Sequence, residues 1–553
     1  MNPTSLTLGL DRAGILSALR LGFAAWLAFA IAAALHVTNA YWAAMPIWVV
    51  AQPMRGLLLE RAVFRVLGTL IGAGFGLLVL HVVGAPLLVL SILGFWIALC
   101  AGLTHILRGT QSYGALLAGM TAAIVILPTI LAPDRAFDVA IARVECTLIG
   151  VVVVTLVVGL FTPVSARSEF YARVRSLAGD AVAFAAAAVG DTSGDGNEAE
   201  ARHILAEMSD VDATGHLVSA GSFEGFRRLR YGDALIGASI AVMASAQSLG
   251  LRRTRGESVP ATLPEDLTQL AESLRKGDTA SFDGLPVVTA TAFHPSARLA
   301  DAVDALVAAE RALFADPGSA DARSFAPKAV YLAPRRDRRR AFMVGLFAGT
   351  ASFIASAAAL LLGLADAELV ALGICIFSMV LGSLPNPSAI APKLMIGVGC
   401  GAAAAILYRI AIQPYATSWL ALVVTIAPFM MAGAFARTSR LTAIPALDAI
   451  MCFLLASQAG APATTLPNIL MGAGALAVAA ILVGTAFAMI PSDHGRAIRI
   501  ARERIRLDLT RMLSEKADMA AHNGHLTKGE QKQLNKEMNN TSKKIYKDKH
   551  SGQ

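Results

Sequence analysis

Residues 66–83 read VLGTLIGAGFGLLVLHVV, and residues 86–107 read PLLVLSILGFWIALCAGLTHIL. Neither run contains Asp, Glu, Lys or Arg. A helix of about 20 apolar residues crosses a hydrocarbon core that is about 30 Å thick. Each run therefore predicts a transmembrane helix.

The composition of the whole chain also indicates a membrane protein. The chain has 553 residues, of which 56% are hydrophobic and only 16% charged, whereas a soluble globular protein has about 25% charged residues. The apolar residues concentrate in 13–163 and 341–491. Two membrane blocks are thus predicted on either side of a polar centre.

Each block divides into six apolar runs. In the first block they lie near 15–36, 41–54, 66–83, 86–107, 113–131 and 141–162, and in the second near 342–362, 367–385, 393–411, 417–435, 443–458 and 467–490. We therefore predict an all-α integral membrane protein with two six-helix transmembrane halves, residues 1–163 and 341–491.

The two halves share a local pattern that indicates a parallel repeat. In each half the second run ends in an amide–proline pair and the third opens on closely spaced glycines. The residues concerned are Gln52, Pro53, Gly68 and Gly72 in the first half, and Asn386, Pro387, Gly397 and Gly401 in the second. Glycines four positions apart favour close helix packing, which is the role predicted for these four.

The remaining segments are polar. Residues 164–340 show helical periodicity without alternating strand patterns, which predicts a helical cytoplasmic domain between the halves. Residues 492–553 are predicted to be a basic cytoplasmic tail, partly disordered. Of the net charge of +8, residues 493–553 supply 14 Lys and Arg against 8 Asp and Glu, a difference of +6.

Charges near the ends of the runs predict the orientation. Arg55, Arg61, Arg65, Arg108, Lys393, Arg437 and Arg440 lie on the side of the tail, against Arg135, Arg143 and Arg409 on the other side. The positive-inside rule assigns the richer side to the cytoplasm. Both termini and the middle domain are therefore predicted to be cytoplasmic.

Several classes of function have no motif in the chain. There is no Gly-Lys dipeptide for a phosphate-binding loop and no H-E-x-x-H zinc motif. The five cysteines fall singly inside apolar runs, as buried hydrophobes do. We predict neither an enzyme nor a bound metal or cofactor, and no nucleic-acid partner.

Ionisable residues inside the predicted spans are candidates for a transport path. Each costs about 2.5–3.5 kcal/mol at a helix centre, and the candidates are Arg143, Glu145, Arg409 and Asp448. They can serve as separate stations for protons or anions. The alternative is that each is a snorkelling or helix-capping charge.

The second run carries an unusual face. Tyr41, Trp48 and Gln52 share one side of a helix, and Pro46 interrupts the backbone hydrogen bonding, so that a kinked aromatic face would suit a flat organic acid. The alternative is an aromatic belt at the membrane interface, formed by Tyr41 and Trp42.

Longer stretches resemble the fusaric acid resistance family. The similarity rests on YWAAMPIWVVAQPMRG (41–56), FRVLGTLIGAGFGLL (64–78), RVECTLIGVVVV (143–154), LGSLPNPSAIAPKLMIGVGCGAAAAILY (381–408) and ALVVTIAPFMMAGAFAR (421–437). Two departures are Cys146, where the family usually has a larger apolar residue, and the lysine-rich tail, which we expect to lie outside the common core.

The resemblance implies a bacterial inner-membrane exporter of aromatic or other weak organic acids, often accompanied by a periplasmic membrane-fusion protein. The family's marked positions correspond to Tyr41, Trp42, Gln52, Pro53, Arg65, Gly68, Gly72, Arg143, Glu145, Asn386 and Pro387. Membrane lipid and further copies of the chain in a homo-oligomer are the other partners expected.

The leading hypothesis is proton-linked export of a small aromatic carboxylate. Arg55 and Arg65 would attract the anion at the cytoplasmic mouth, and Glu145 or Asp448 would exchange protons. One alternative is a passive organic-anion channel. The other is a non-transporting envelope protein that recruits partners through its cytoplasmic parts.

Overall fold

The fold is described by a computed structural model. It covers residues 12–51, 55–107, 109–160, 167–190, 197–219, 223–253, 262–277, 297–315, 338–363, 367–384, 386–416, 418–460 and 464–489. Within these ranges the chain forms helices, turns and bends and no strand. The predicted all-α class is confirmed for this part of the chain. The predicted tail, residues 492–553, lies outside the described residues.

The first apolar block begins with α1 and a short 3₁₀ turn. Its elements are α1 (Arg12–Ala34), the turn Ala40–Ala43, α2 (Met45–Val50), α3 (Arg55–Val82), α4 (Pro86–Ile106), α5 (Thr110–Ile126) and α6 (Ala136–Val157). Pro86 occupies the first position of α4, where a missing N–H costs no intrahelical bond.

Five helices with a separate hydrophobic core follow. They are α7 (Arg167–Gly190), α8 (Asn197–Ser219), α9 (Phe223–Arg253), α10 (Leu263–Lys276) and α11 (Ala297–Phe314). Phe184, Leu235 and Leu267 are among the fully buried side chains of this core. We call these five helices the middle bundle, and its α8 contacts α3.

The second apolar block has six helices. They are α12 (Arg338–Leu362), α13 (Ala367–Ser383), α14 (Pro387–Ala411), α15 (Trp419–Thr438), α16 (Ala443–Ser457) and α17 (Leu466–Ala488). Large apolar side chains cover the outer surface of both blocks, including Phe95 in the first and Leu361 in the second, which are 72% and 76% exposed. Such an apolar exterior matches a hydrocarbon environment and not water.

Nine helices of the described chain are long and apolar enough to cross a membrane. The other three apolar segments are shorter: residues 40–50, Ala367–Ser383 and Ala443–Ser457. The prediction of twelve full spans therefore stays a prediction for these three.

The second run differs most from expectation. In place of one kinked helix over 41–54, the chain forms the 3₁₀ turn and the six-residue α2. Pro46 lies in the first turn of α2, where it starts the helix and does not bend it. Ala51 ends α2 with a ψ of 121°.

Helix contacts in the first block recur in the second. α3 packs against α5 and α6, and α14 packs in the same way against α16 and α17. The fourth helix of each block packs against the first helix of the other block, because α4 lies along α12 and α15 lies along α1. The two blocks therefore share a common core.

Glycines permit the two closest of these contacts. A Cβ atom on Gly72 would lie 2.5 Å from the carbonyl oxygen of Ala118 on α5, and one on Gly68 would lie 2.5 Å from that of Gly114. In the second block, Cβ atoms on Gly397 and Gly401 would collide with the carbonyl oxygens of Pro445 and Ala449 on α16. Backbones at this separation leave no room for a side chain.

Candidate functional site

The aromatic residues of the 3₁₀ turn and α2 are buried in the membrane core. Tyr41, Trp42 and Trp48 are all among its buried side chains. α2 packs against α3 and α6, and the turn packs against α1 and α6. Interfacial aromatic residues would remain partly exposed, so burial argues against the alternative of an aromatic belt.

Two buried arginines lie on the neighbouring helices α3 and α6, and one of them, Arg143, contacts this aromatic cluster. Arg65 on α3 is 2% exposed, and its Nη1 donates a hydrogen bond of 2.7 Å to Tyr113 Oη on α5. Arg143 on α6 is 4% exposed, and its guanidinium carbon lies 5.3 Å from the centre of the Trp42 ring. This separation is within the range of a cation–π interaction.

The two buried cations repel each other. Arg143 lies within electrostatic reach of Arg65, and Tyr41 within reach of Arg143. Within the described residues, no carboxylate lies within 4.0 Å of either guanidinium, since all ion pairs found there belong to the middle bundle. Buried charges in proteins are normally paired, so the cluster is complementary to an anion.

Hydrogen-bond donors in the cluster also lack acceptors. Trp48 Nε1, Arg65 Nε and Arg143 Nε are buried and have no hydrogen-bond partner. Leaving a buried donor unsatisfied costs about 1–3 kcal/mol, and more when the group is charged. A bound carboxylate, which only accepts hydrogen bonds, would satisfy them. We call Trp42, Trp48, Arg65, Tyr113 and Arg143 the arginine–tryptophan site.

A second charged group lies towards the N-terminal end of α3. Arg61 Nη1 donates to the carbonyl oxygen of Val49 at 3.2 Å, and its guanidinium lies 5.7 Å from the centre of the Tyr113 ring. Arg437 on α15 donates to the carbonyl oxygen of Ala443 at 3.0 Å. Arg437 lies within electrostatic reach of both Arg61 and Asp448. This group is called the inner group.

Arg61, Tyr113 and Arg437 were missed as site residues by the sequence reasoning. Arg61 and Arg65 are four positions apart and precede Gly68 by seven and three, so all three share one face of α3. Since that glycine face packs against α5, the arginines had to point inward. This spacing was present in the sequence and would have identified Arg61 as a site residue. It gives no signal for Tyr113 or Arg437.

Three charges that were placed near the ends of the predicted runs are buried within helices. These are Arg65, Arg143 and Arg409. Lys393, Arg440 and Arg135 are exposed, and the predicted orientation stays a prediction.

Glu145 is not part of the site. It is exposed on the outer face of α6, whereas Arg143, two positions earlier, points into the core. Positions two apart on a helix differ in direction by about 200°, which explains the separation. Its predicted role as a station on a transport path stays a prediction.

The other predicted path residues have varied positions. Arg409 is buried near the end of α14, within electrostatic reach of Tyr41, and Asp448 is half-buried on α16. Asn386 is exposed and precedes α14, whose first position is Pro387. Gln52, Pro53 and the side chain of Arg55 lie outside the described residues.

Metal chemistry finds no support in the described residues, where no three His, Cys, Asp or Glu side chains are placed to hold an ion. The five cysteines are free thiols, and four of them are buried. Within the described residues, the polar interior of the two blocks contains buried cations, aromatic rings and three half-buried acids, Glu60, Glu368 and Asp448.

These features define a class: a multi-pass helical membrane protein with buried cations in its interior. A sequence model of the fusaric acid resistance protein family matches residues 15–536. The chain belongs to this family. The match extends well into the lysine-rich tail, so the expectation that the tail lies outside the family's core is wrong.

Curated relatives are efflux proteins. The p-hydroxybenzoic acid efflux pump subunit AaeB of Musicola paradisiaca (strain Ech703) is 24% identical over 375 residues, which cover 65% of this chain and 57% of that protein. The subunit of the same name from Yersinia enterocolitica is 30% identical over 167 residues, covering 27% of this chain and 26% of that protein. The matched part is thus well short of those relatives' full length. No solved structure matches the chain.

Proposed function

We propose that this protein exports small aromatic carboxylates and that the arginine–tryptophan site binds them during transport. The observation that carries the proposal is the pair of buried arginines without a carboxylate partner, one of them against the face of Trp42. A carboxylate would neutralise the cations, and an aromatic ring would pack among the indoles. Membership of an efflux family and the names of the relatives support the same substrate class.

The arginines suggest an order of events. The inner group, with Arg61 and Arg437, would receive the anion from the side of the middle bundle, because α8 of that bundle contacts α3. The anion would then pass to Arg65 and Arg143. Arg409, which is also within electrostatic reach of Tyr41, would accept it next.

Asp448 is the acid we propose for proton coupling. It lies beside Arg437 and Gly397 inside the second block. An acid among cations can exchange a proton when an anion arrives and changes the local charge. Glu145, exposed on the outer face of α6, has no such neighbours in the described residues and is not proposed for this role.

We propose a location in the bacterial inner membrane, with both termini and the middle bundle in the cytoplasm. The relatives are named pump subunits, which supports assembly with another protein, and a periplasmic membrane-fusion protein is our candidate. The exposed basic residues Lys393 and Arg440 support the orientation.

A passive organic-anion channel is the second candidate. It is favoured by the excess of buried arginines over acids along the interior, since a run of cations lowers the barrier to anions without any coupling step. Anion movement through a channel would follow voltage alone. Proton-coupled export would also respond to a pH gradient at zero voltage.

A substrate panel in cells tests the proposal. Cells with and without the full chain are loaded with p-hydroxybenzoate, other aromatic acids and an aliphatic acid, and retained acid is measured. We expect lower retention and higher tolerance for the aromatic acids in cells that make the protein. Equal retention of every acid would refute the proposal.

A further inference from the structure

A cavity of about 230 Å³ lies between α13, α14, α16 and α17. It is at the C-terminal ends of α14 and α16, the opposite end from Arg437 and Asp448. One part of its lining is polar, with Arg409, Gln458, Thr464 and Asn468. The remainder is mainly apolar and includes Leu369 and Leu476.

Arg409 is held in the cavity by weak, neutral partners. Arg409 is only 9% exposed. Its Nη1 donates a hydrogen bond to Gln458 Oε1 at 3.5 Å, and its Nη2 donates one to Thr464 Oγ1 at 3.2 Å. Hydrogen bonds from a guanidinium to a carboxylate are shorter, about 2.7–2.9 Å. None of the described carboxylates forms an ion pair with Arg409.

The volume and the lining of this cavity indicate which class of ligand fits it. An apolar cavity of about 150 Å³ is sufficient for benzene, so about 230 Å³ accommodates one aromatic ring with a carboxylate. The guanidinium would bind the carboxylate, and the apolar wall would contact the ring.

We infer that the cavity is a second carboxylate-binding site, from which a monocyclic aromatic acid leaves the protein. The inference rests on the proposed function, because it takes the substrate class from there. It adds a site on the second block that is separate from the arginine–tryptophan site. Tyr41 is within electrostatic reach of both Arg143 and Arg409, one from each site.

Two glycines on α17 offer a matched test. Gly472 lines the cavity, and a Cβ atom there would find Leu369 Cδ1 at 3.7 Å, an ordinary contact. A Cβ atom on Gly474 would find nothing within 4 Å, and Gly474 does not line the cavity. Gly472→Leu would therefore fill the cavity, whereas Gly474→Leu imposes the same change in helix propensity without filling it.

Binding of radiolabelled p-hydroxybenzoate to the purified full chain is the measurement. We expect Gly472→Leu and Arg409→Gln to bind one fewer ligand per chain than Gly474→Leu and the wild type. Gel-filtration elution checks that each variant is folded, and Arg409→Gln decides the matter if Gly472→Leu does not fold.

The outcomes separate the two proposals. If the wild type binds ligand and the cavity variants bind as much as Gly474→Leu, the second site does not exist and the proposed function stands. If the wild type binds no aromatic acid at all, both proposals fail. A deficit confined to the cavity variants supports the second site.

Discussion

Arg143 is the residue on which the proposed chemistry depends most. It is buried on α6, contacts the Trp42 ring and has an Nε without a partner. A cation in this position is destabilising until an anion arrives, since burial removes its hydration. The destabilisation that Arg143 causes in the ligand-free protein is therefore consistent with a role in binding an anion.

Arg143→Gln should weaken binding of p-hydroxybenzoate to the purified protein by about thirtyfold. Loss of a charged hydrogen bond and of a cation–π contact is worth about 2 kcal/mol, which corresponds to that factor. Glu145→Gln is the matched control, because it changes a neighbouring charge on the outer face of the same helix. Equal affinities in the two variants would remove Arg143 from the site.

Asp448→Asn should abolish the response of export to a pH gradient while leaving downhill movement of the anion. The amide keeps the size of the side chain and cannot carry a proton. Efflux from proteoliposomes at different internal and external pH gives the readout. Asp138→Asn, an exposed change in the first turn of α6, is the control, and unaltered pH dependence in Asp448→Asn would exclude it as the coupling residue.

At the scale of helices, the contact between α3 and α5 rests on backbone approach. Gly72→Val should destabilise the protein by about 1–3 kcal/mol, because its Cβ meets a carbonyl oxygen that cannot move independently. Gly74→Val on the same helix should be tolerated, since nothing lies within 4 Å of its Cβ. Thermal unfolding in detergent compares the two variants; similar midpoints would argue against this packing.

The middle bundle should show a pH-dependent stability that originates at Asp233. Burial, and to a smaller extent the charge of Asp212 on α8, raise the pKa of this carboxyl on α9 to about 6. The folded state therefore holds the proton more tightly than the unfolded state. The contribution of the protonated Asp233 to stability is therefore fully present below the pKa that this carboxyl has in the unfolded state. It is lost as the pH rises through about 6.

Asp233→Asn should accordingly raise the unfolding temperature of the full chain at pH 8 and have a smaller effect at pH 5. The gain at pH 8 should be on the order of 1 kcal/mol. The exposed Asp301→Asn in the same bundle serves as the control. A gain that is larger at pH 5 than at pH 8 would contradict the assignment.

Helix existence was predictable from the sequence, but helix starts inside charged segments were not. The third run was predicted to begin at 66, whereas α3 begins at Arg55. The reason is that hydropathy places arginines outside a span, while Arg65 is buried inside it. For the same reason, Arg61 and Arg65 were left outside the predicted third run, although both lie within α3.

The break between the 3₁₀ turn and α2 was also beyond sequence reasoning. The prediction that Tyr41 and Trp48 share one face assumed a continuous helix. The chain instead forms two short elements there. Their shared burial comes from packing against α1, α3 and α6, a tertiary effect that a local pattern does not contain.

At the scale of the whole molecule, recurring helix contacts support our proposal of a parallel repeat, but the chemistry is not repeated. Gly397 and Gly401 each follow their counterparts Gly68 and Gly72 by 329 positions, so Arg65 corresponds to Leu394. Leu394 is buried and apolar. The arginine–tryptophan site therefore belongs to the first block alone, and the second block supplies Arg409 and Asp448.

Efflux of p-hydroxybenzoate from proteoliposomes that contain the purified full chain tests the central claim most directly. We predict efflux by the wild type and by Glu145→Gln, slowed at least about tenfold in Arg143→Gln, a loss of about 1.4 kcal/mol. External benzoate should compete, and uncharged benzyl alcohol should not. Equal efflux by the wild type and Arg143→Gln, or no efflux at all, would contradict the account.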